Sequence, residues 1–343
     1  MKNGLRILLL SGVVLVLIGI SNRDVLVEKI LVLEGKKSNT VNVKGAKFDF
    51  DQAYNDNITF EELIVRNPDA PIKREDFGNF YAQARAAVVI DAETNTILHY
   101  QNAKKRLAIA SLTKIMTAVL VMENIENLEK EVVIIDEDAV YEDGTKIGCP
   151  RGGFCPSTRL QVGEKISVDN LFKAMIMNST NDAAVALAKH IAGSEEEFAK
   201  MMNEKAREIG LEDTHFCNPS GLDDENNPGG CYSSAYDFAR IASYSLRYDK
   251  IWNTMQIRSA EISSIDGKIK HQIGNTDRLL DQMPNCFGGK TGFTYEAGKC
   301  LMSAAVDPSG NGAKVIGVIL DDYYRWQDMK SMLAWSFQAY QWK

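Results

Sequence analysis

The sequence predicts an α+β fold, in which one antiparallel sheet is formed by N- and C-terminal strands and is flanked by helices. Two observations lead to this fold class. Strand-like patterns lie near residues 87–100 and again between 286 and 321, whereas the long stretch between them is mostly helical in pattern. Strands on both sides of a helical block can join in one sheet, and the block then forms a mostly helical subdomain.

The first strands and the first helix follow one another closely. Residues 87–91 and 96–100 are rich in β-branched and aromatic side chains around a polar turn, as in a β-hairpin. A helix is expected from Ser111 to about Ile125, and apolar residues cover most of its circumference, which indicates a buried helix. Ser111 would lie at its start, where free backbone N–H groups favour a developing oxyanion.

The later elements complete the pattern. Helices over 171–178 and 182–191 would leave the tripeptide at 179–181 on a turn between them. Further helices are expected from a capping box at Ser194 to Gly210, from Ser233 or Ser234 to about Tyr244, and from Arg325 to about Tyr340. Strands are expected at 286–294, 298–306 and 313–321.

The N-terminus has the pattern of an export signal. Lys2 and Arg6 precede an uncharged, mostly apolar run over residues 7–20, which is shorter than the ~20 residues that a membrane-spanning helix needs. A small residue allows cleavage after Ser21, and an uncleaved N-terminal anchor is the alternative. We therefore expect an exported protein with a signal peptide or membrane anchor at 1–21.

The composition is that of a soluble globular protein. The chain has 343 residues, of which 45% are apolar and 25% are charged, enough for an ample core. The net charge of −7 argues weakly against nucleic acid or an anionic membrane as a partner. We expect a linker or stalk over 22–80 and one globular domain over 81–343.

Six cysteines occur as three near-neighbour couples, and in an exported chain such a set indicates disulfides. Many pairings are possible, and six unpaired buried thiols are the alternative. From the spacing we expect sequential pairing: Cys149–Cys155, Cys217–Cys231 and Cys286–Cys300. The four histidines show no metal-binding spacing, so no metal site is expected.

The segment Ser111-Leu-Thr-Lys114 places a hydroxyl and an amine on one face of the predicted helix. A serine hydroxyl is a poor nucleophile until a base removes its proton, and a lysine is such a base only when its amine is neutral. Apolar neighbours on the helix would desolvate Lys114 and favour that neutral amine. The sequence thus predicts an activated serine, although this short motif alone is common by chance.

A second motif, Ser179-Thr180-Asn181, falls on the predicted turn between two helices. There the hydroxyl of Ser179 would relay protons, and the amide of Asn181 would orient a substrate or the lysine. Ordinary helix capping by Ser179 or Asn181 is the alternative.

A third motif, Lys290-Thr291-Gly292, lies on a predicted strand. The ammonium and the hydroxyl would bind a carboxylate, and Gly292 would let a ligand backbone approach closely. A nucleotide-binding P-loop is disfavoured because Pro284 stands where that motif needs glycine and because β-type residues follow the lysine.

The three motifs, in this order, resemble those of the serine D-alanyl-D-alanine carboxypeptidases, which are low-molecular-mass penicillin-binding proteins. The resemblance covers about residues 82–340. Stretches similar to the family lie at 110–117, 218–222, 275–280, 290–294 and 297–298.

The resemblance implies a β-lactamase/transpeptidase-like fold and makes residues 81–343 a catalytic domain. Its implied reaction removes the terminal D-alanine from peptidoglycan stem pentapeptides through an acyl-enzyme, with β-lactam antibiotics as inhibitors. No cofactor is implied. The expected location is the extracytoplasmic face of a bacterial envelope, secreted or anchored through the N-terminal segment alone.

The resemblance also assigns a role to each site residue. Ser111 would be the nucleophile, Lys114 its general base, and Ser179 and Asn181 would shuttle protons and orient the substrate. Lys290 and Thr291 would hold the terminal carboxylate, with Gly292 beside them, and the backbone N–H groups of Ser111 and Phe293 would form the oxyanion hole.

Some features depart from the family pattern, and two other functions compete. Thr180 replaces a usually small residue, the six cysteines are unexpected, and only about fifty residues follow Lys290. A β-lactamase would need a deacylating glutamate between the second and third motifs, and no such motif is found. A non-hydrolytic wall-binding or β-lactam-sensing protein is disfavoured because all three motifs are intact. Hydrolysis and transfer to an amine share one acyl-enzyme and stay open.

Overall fold

The computed structural model describes residues 40–43, 46–49, 69–149, 155, 157–224 and 226–342. The chain forms two compact units, residues 1–68 and 69–343. In the first unit, strands β1 (Thr40–Val43) and β2 (Ala46–Asp49) form an antiparallel hairpin. The predicted signal peptide or anchor at 1–21 lies outside the described residues.

Strands and helices of the second unit follow in an order close to the predicted one. The strands are β3 (Ile72–Lys73), β4 (Ala86–Asp91), β5 (Ile97–Gln101), β6 (Val132–Ile134), β7 (Lys165–Ser167), β8 (Ser259–Ser263), β9 (Lys270–Gly274), β10 (Cys286–Thr294), β11 (Gly298–Val306), β12 (Lys314–Leu320) and β13 (Tyr340–Gln341). The helices are α1 (Lys114–Asn124), α2 (Glu137–Tyr141), α3 (Val168–Met177), α4 (Asn181–Ala192), α5 (Glu195–Glu208), α6 (Ala235–Ser245), α7 (Asp249–Met255), α8 (Leu279–Gln282) and α9 (Arg325–Ala339).

The central sheet joins strands from both ends of this unit, as predicted. Its order is β10-β11-β12-β4-β5, and every neighbouring pair is antiparallel. The N-terminal hairpin β4–β5 therefore lies against the last strand of the C-terminal meander, through pairs such as Ile90 with Ile316. Strand β10, which carries the third motif, lies at one edge of the sheet.

Helices cover both faces of the sheet, because its side chains alternate in direction along each strand. On one face, residues such as Ile90 and Met302 belong to the large core shared with α1, α3, α4 and α6. On the other face, Val89 and Leu301 pack in a smaller core with Met332 and neighbouring residues of α9.

The second unit begins at Asp69, and the expected division into a linker over 22–80 and a catalytic domain over 81–343 stays a prediction. Strand β3 pairs with β13, so this stretch of the expected linker is fastened to the end of α9. Of the helices in the described ranges, none is both long and apolar enough to cross a membrane.

Two of the three predicted disulfides are present. Cys149 is bonded to Cys155 with a Cα–Cα distance of 4.1 Å. Cys217 is bonded to Cys231 with a Cα–Cα distance of 5.5 Å, closing the loop that contains residues 218–222. In the chain-entropy description, closing a loop of this size stabilises the fold by roughly 3 kcal/mol.

The third predicted disulfide is wrong, because Cys286 and Cys300 are free. The two cysteines do lie on the hairpin β10–β11, but not opposite each other. Cys286 faces Ala305 and Cys300 faces Gly292. The cysteines are thus several residues apart along the strands, at about 3.3 Å per residue, which is beyond the reach of a disulfide.

Candidate active site

The first motif forms a tight turn followed by a helix. Residues Ala110–Thr113 are a 3-10 turn, and α1 begins only at Lys114, three residues later than predicted for the helix. Side chains three apart lie directly above one another in a 3-10 turn, and Ser111 Oγ is 3.0 Å from Lys114 Nζ. Ala110, just before Ser111, has a positive φ of 49°. The local backbone conformation therefore holds the Ser111 hydroxyl within hydrogen-bond distance of the Lys114 amine.

Lys114 is completely buried in the described structure and faces three oxygen atoms. Besides Ser111 Oγ, its Nζ lies 2.7 Å from Asn181 Oδ1 and 2.6 Å from the carbonyl oxygen of Ser220. A neutral amine has two N–H groups and one lone pair. If the two carbonyl oxygens accept the two N–H groups, the lone pair points at the Ser111 hydroxyl, as a general base requires.

The second motif connects α3 to α4 and brings its two polar side chains to different lysines. Ser179 has a positive φ of 59°, and its Oγ accepts a hydrogen bond of 2.6 Å from Lys290 Nζ. Asn181 Nδ2 donates to the carbonyl oxygen of Asp143 at 2.7 Å, which turns its Oδ1 toward the lysine of the first motif. Thr180 is the N-cap of α4 and makes no side-chain capping bond, so capping by Ser179 or Asn181 does not occur.

Lys290 is a second buried lysine, with 1% of its surface exposed. Its Nζ donates to Ser179 Oγ and, at 3.1 Å, to the carbonyl oxygen of Thr291. Burial and, to a smaller extent, the charge of Arg325 lower the pKa of Lys290, Asp277 opposes them, and the resulting pKa is about 7. Near neutral pH this amine can therefore gain a full charge when an anion arrives.

At Gly292, strand β10 comes close to the 3-10 turn Ala110–Thr113 that contains Ser111. A Cβ at this position would lie 2.8 Å from the carbonyl oxygen of Ile109 and 3.3 Å from Ala110 Cβ. Glycine is required at this position because the turn that contains Ser111 lies so close. The reason expected from the sequence was the close approach of a ligand backbone. The neighbouring Thr291 shares a hydrogen bond of 2.7 Å with the hydroxyl of Thr276.

Three contributors to the site carry no motif of their own. The carbonyl of Ser220 and the hydroxyl of Thr276 lie in stretches 218–222 and 275–280, which resemble the family. That resemblance is the feature of the sequence from which these two residues could have been predicted. Arg325 had no signal: its Nη1 donates to the carbonyl oxygens of Gly292 at 2.8 Å and Cys300 at 3.0 Å. It thus binds β10 and β11 together beside the active-site edge.

Gly221 is expected to be indispensable for the shape of the turn Ala110–Thr113, which contains Ser111. Its φ is +77°, and a Cβ would lie 2.1 Å from the carbonyl oxygen of Ala110. Gly221→Ala should lose about 1–3 kcal/mol of unfolding free energy through overpacking, on top of the roughly 1–2 kcal/mol that a left-handed alanine costs. Urea unfolding and the acylation rate of Ser111 are the measurements.

The matched control is Gly267→Ala. Gly267 has a φ of +70°, but no atom lies within 4 Å of its added Cβ. The control should lose only the conformational part and keep the acylation rate. Equal losses in the two variants would mean that the contact with Ala110 does not hold the turn.

Within the described residues, no group of three or more His, Cys, Asp or Glu side chains is arranged to hold a metal ion. The site brings together all three predicted motifs on the first turn before α1, the α3–α4 connection and the edge strand β10.

Comparison with known proteins agrees with this arrangement. The family described as D-alanyl-D-alanine carboxypeptidase matches residues 73–323. D-alanyl-D-alanine carboxypeptidase DacF of Bacillus subtilis (strain 168) is 36% identical over 259 residues, which are 76% of this chain and 63% of DacF. The chain thus spans less than two thirds of the length of that relative.

Solved structures share the fold. A variant of the Streptomyces K15 DD-transpeptidase has a TM-score of 0.67 at 26% identity, covering 76% of this chain and 100% of the other. Penicillin-binding protein D2 from Listeria monocytogenes, in its ampicillin-bound form, has a TM-score of 0.63 at 29% identity, covering 76% and 99%. By its sequence match and its site, the chain belongs to the D-alanyl-D-alanine carboxypeptidase family.

Proposed function

We propose that the protein is a serine D-alanyl-D-alanine carboxypeptidase that removes the terminal D-alanine from peptidoglycan stem pentapeptides. The observation that carries the proposal is the buried amine of Lys114, 3.0 Å from Ser111 Oγ and held by two carbonyl oxygens. Family membership supports the substrate class. Release of free D-alanine from a pentapeptide ending in D-Ala-D-Ala is the direct test, and its absence would refute the proposal.

Acylation starts with attack of Ser111 Oγ on the carbonyl carbon of the penultimate D-alanine, while Lys114 takes the hydroxyl proton. The peptide C–N bond then breaks, and the departing amine of D-alanine gains a proton by way of Lys114 and Ser179. Water attacks the resulting ester, Lys114 takes its proton, and the Ser111 hydroxyl is restored. The backbone N–H groups of Ser111 and Phe293 are the proposed oxyanion donors.

The carboxylate of the terminal D-alanine is proposed to bind beside Lys290, Thr291 and Ser179. Lys290 is too buried to expose its ammonium fully, so its charge would act from beneath while the two hydroxyls contact the substrate. The edge position of β10 suits an extended peptide, because an edge strand offers backbone groups for pairing.

This anchor predicts a pH dependence of substrate binding. The pKa of Lys290 is lowered to about 7, so the free enzyme loses the positive charge as the pH rises above that value. If only the charged form binds the carboxylate, KM should rise by up to about tenfold per pH unit above the pKa. The measurement is KM for a D-Ala-D-Ala peptide between pH 6 and 9.

The control substrate is the same peptide with a C-terminal amide. Without a carboxylate, its weaker binding should not follow the titration of Lys290. A Lys290→Ala enzyme should likewise bind the acid and the amide with similar affinity. Full activity of that variant on the acid would contradict the anchor role.

β-Lactams are proposed inhibitors because they present an amide next to a carboxylate, as the peptide terminus does. Mass spectrometry after penicillin treatment should place one adduct on the peptide that contains Ser111, and an adduct on another serine would refute the assignment. We expect slow release of this adduct, since no deacylating glutamate motif of the β-lactamase type is present between the second and third motifs.

The reaction is proposed to take place at the extracytoplasmic face of a bacterial envelope. The two disulfides fit an oxidising compartment. Attachment to a membrane, if present, would use the apolar run at residues 7–20. Protease accessibility of the domain in intact cells is the measurement, and protection from an external protease would contradict this location.

A further inference from the structure

A buried ion pair lies outside the three motifs. His271 on β9 and Glu164, just before β7, have no exposed side-chain surface. The Nε2 atom of His271 is 2.8 Å from Glu164 Oε1, and its Nδ1 atom is 2.7 Å from the carbonyl oxygen of Thr158. The ring is thus clamped at both nitrogens.

The partners of the ring indicate its protonation state. A carbonyl oxygen only accepts hydrogen bonds, so Nδ1 carries a proton, and an ionised Glu164 likewise requires a proton on Nε2. Burial lowers the pKa of His271, but the hydrogen bonds to Glu164 and Thr158, together with Asp182, outweigh it and raise the pKa above 6.5. Both ring nitrogens thus face acceptors, and this arrangement favours the imidazolium form.

Few other charges face this ring. The acidic groups that act on His271 are Glu164 and Asp182, at the start of α4. The neighbouring Lys270 points to the opposite side of the strand, where it pairs with Glu261 at 2.7 Å. After burial, the hydrogen bond to Glu164 has the largest effect on the pKa of His271.

The clamp holds one segment against another. Thr158 is fixed by the ring, and a Cβ on Gly148 would lie 2.4 Å from the Thr158 carbonyl oxygen, so the two backbones touch. The N–H of Ser157 also donates to the carbonyl oxygen of Gly148. Segment 143–149 is thus held in place through Gly148, which contacts Ser157 and Thr158, and Thr158 is in turn bound to His271.

The same segment positions the active-site amide. The carbonyl oxygen of Asp143 accepts from Asn181 Nδ2 at 2.7 Å, and that of Thr145 accepts from Asn181 N at 2.6 Å. The N–H of Ile147 donates to Asp182 Oδ2 at 2.8 Å. If the segment moves, Asn181 loses the contact that points its oxygen at the lysine of the first motif.

We propose that His271 is a positioning residue for acyl transfer: as a buried cation clamped by Thr158 and Glu164, it holds segment 143–149 so that Asn181 faces Lys114. The inference rests on the proposed function, because the rate it controls is the acylation of Ser111. When the imidazolium loses its proton, a lone pair faces either an ionised carboxylate or a carbonyl oxygen. The clamp then opens, and acylation slows at alkaline pH.

The decisive variant is Glu164→Gln. The amide group can donate to a neutral Nε2 while Nδ1–H still donates to Thr158, so this variant keeps the clamp without a charge. We expect Glu164→Gln to acylate Ser111 at pH 7 at nearly the rate of the original protein and to lose the fall in rate that the original shows above the pKa of His271. The measurement is the rate constant of acylation at saturating benzylpenicillin, followed by mass spectrometry from pH 6 to 10, since the titration of Lys290 changes penicillin binding in both proteins alike.

His271→Gln removes the second donor and should slow acylation by about 10- to 100-fold, the size of effect that a misplacement of about 1 Å produces. The matched control is His190→Gln, which breaks a partly exposed pair with Glu131 and should leave the rate unchanged. Identical pH profiles of the original protein and Glu164→Gln, or an unchanged rate in His271→Gln, would overturn the proposal.

Two readouts separate this inference from the proposed function. Imidazole NMR should show that His271 titrates above pH 6.5 and that Glu164→Gln lowers that pKa. Amide hydrogen exchange at Ile147 and Asn181 should accelerate in His271→Gln and stay unchanged in His190→Gln. Failure of penicillin to react with Ser111 would refute the proposed function, whereas unchanged exchange would refute the clamp.

Discussion

Replacing Lys114 by alanine is expected to slow the acylation of Ser111 by about 100- to 10,000-fold at pH 7, the usual contribution of a general base. The amine is completely buried and lies 3.0 Å from the hydroxyl oxygen of Ser111. No other base in the described site is bonded to that hydroxyl. Stopped-flow measurement of covalent penicillin binding gives the rate directly.

Lys114→Arg tests whether the lysine acts as a base or only as a cation. A guanidinium stays charged in proteins and so cannot accept the proton. We expect Lys114→Arg to be nearly as slow as Lys114→Ala, while Lys200→Ala, an exposed lysine on α5 that pairs with Glu197, keeps the full rate. Substantial acylation by the arginine variant would assign the role of base to another group.

Asn181→Asp should have an effect of similar size for an opposite electrostatic reason. The substitution places a carboxylate 2.7 Å from Lys114 Nζ, which raises the pKa of the lysine and holds it in the charged form. It also turns the donor that binds the Asp143 carbonyl into an acceptor, so that two oxygens repel each other. Acylation at pH 7 should fall by roughly 100-fold or more.

The pH profile distinguishes this mechanism from misfolding. If the lysine is merely held protonated, acylation by Asn181→Asp should recover as the pH rises. The matched control is Asn178→Asp, at the residue that follows α3, where the amide of Asn178 donates to the carbonyl oxygen of Gly274 on β9; this variant should keep its rate. A rate that stays low at every pH would contradict the electrostatic account.

The motifs could be predicted from the sequence because each depends on side chains at short, fixed spacings. The separation of Ser111 and Lys114 brings them together in a 3-10 turn as it would in an α-helix. The carbonyl of Ser220 could not be predicted in this way, since a backbone oxygen has no residue type of its own. Arg325 is equally hidden, because its contact with Gly292 depends on how α9 packs on the sheet.

The elements show the same division. Long periodic stretches such as α5 and the strands β10 to β12 were predicted to within one or two residues at each end. The two-stranded pairs β6–β7 and β8–β9 were missed because strands of three to five residues barely reveal a period. The error at Cys286 and Cys300 was one of register: a turn between residues 294 and 298 already places Cys300 opposite Gly292.

The pairing of β4 with β12 has a consequence for how the molecule is made. Ile90 meets Ile316, so the sheet brings together segments more than half the chain apart. Contacts of such long range slow folding, because the loop entropy has to be overcome before they form. Strand β4 of the first hairpin must wait unpaired on one side until β12 has been synthesised. We therefore expect activity to appear late in folding and in a single step, because β10 meets the turn Ala110–Thr113 only in the completed sheet.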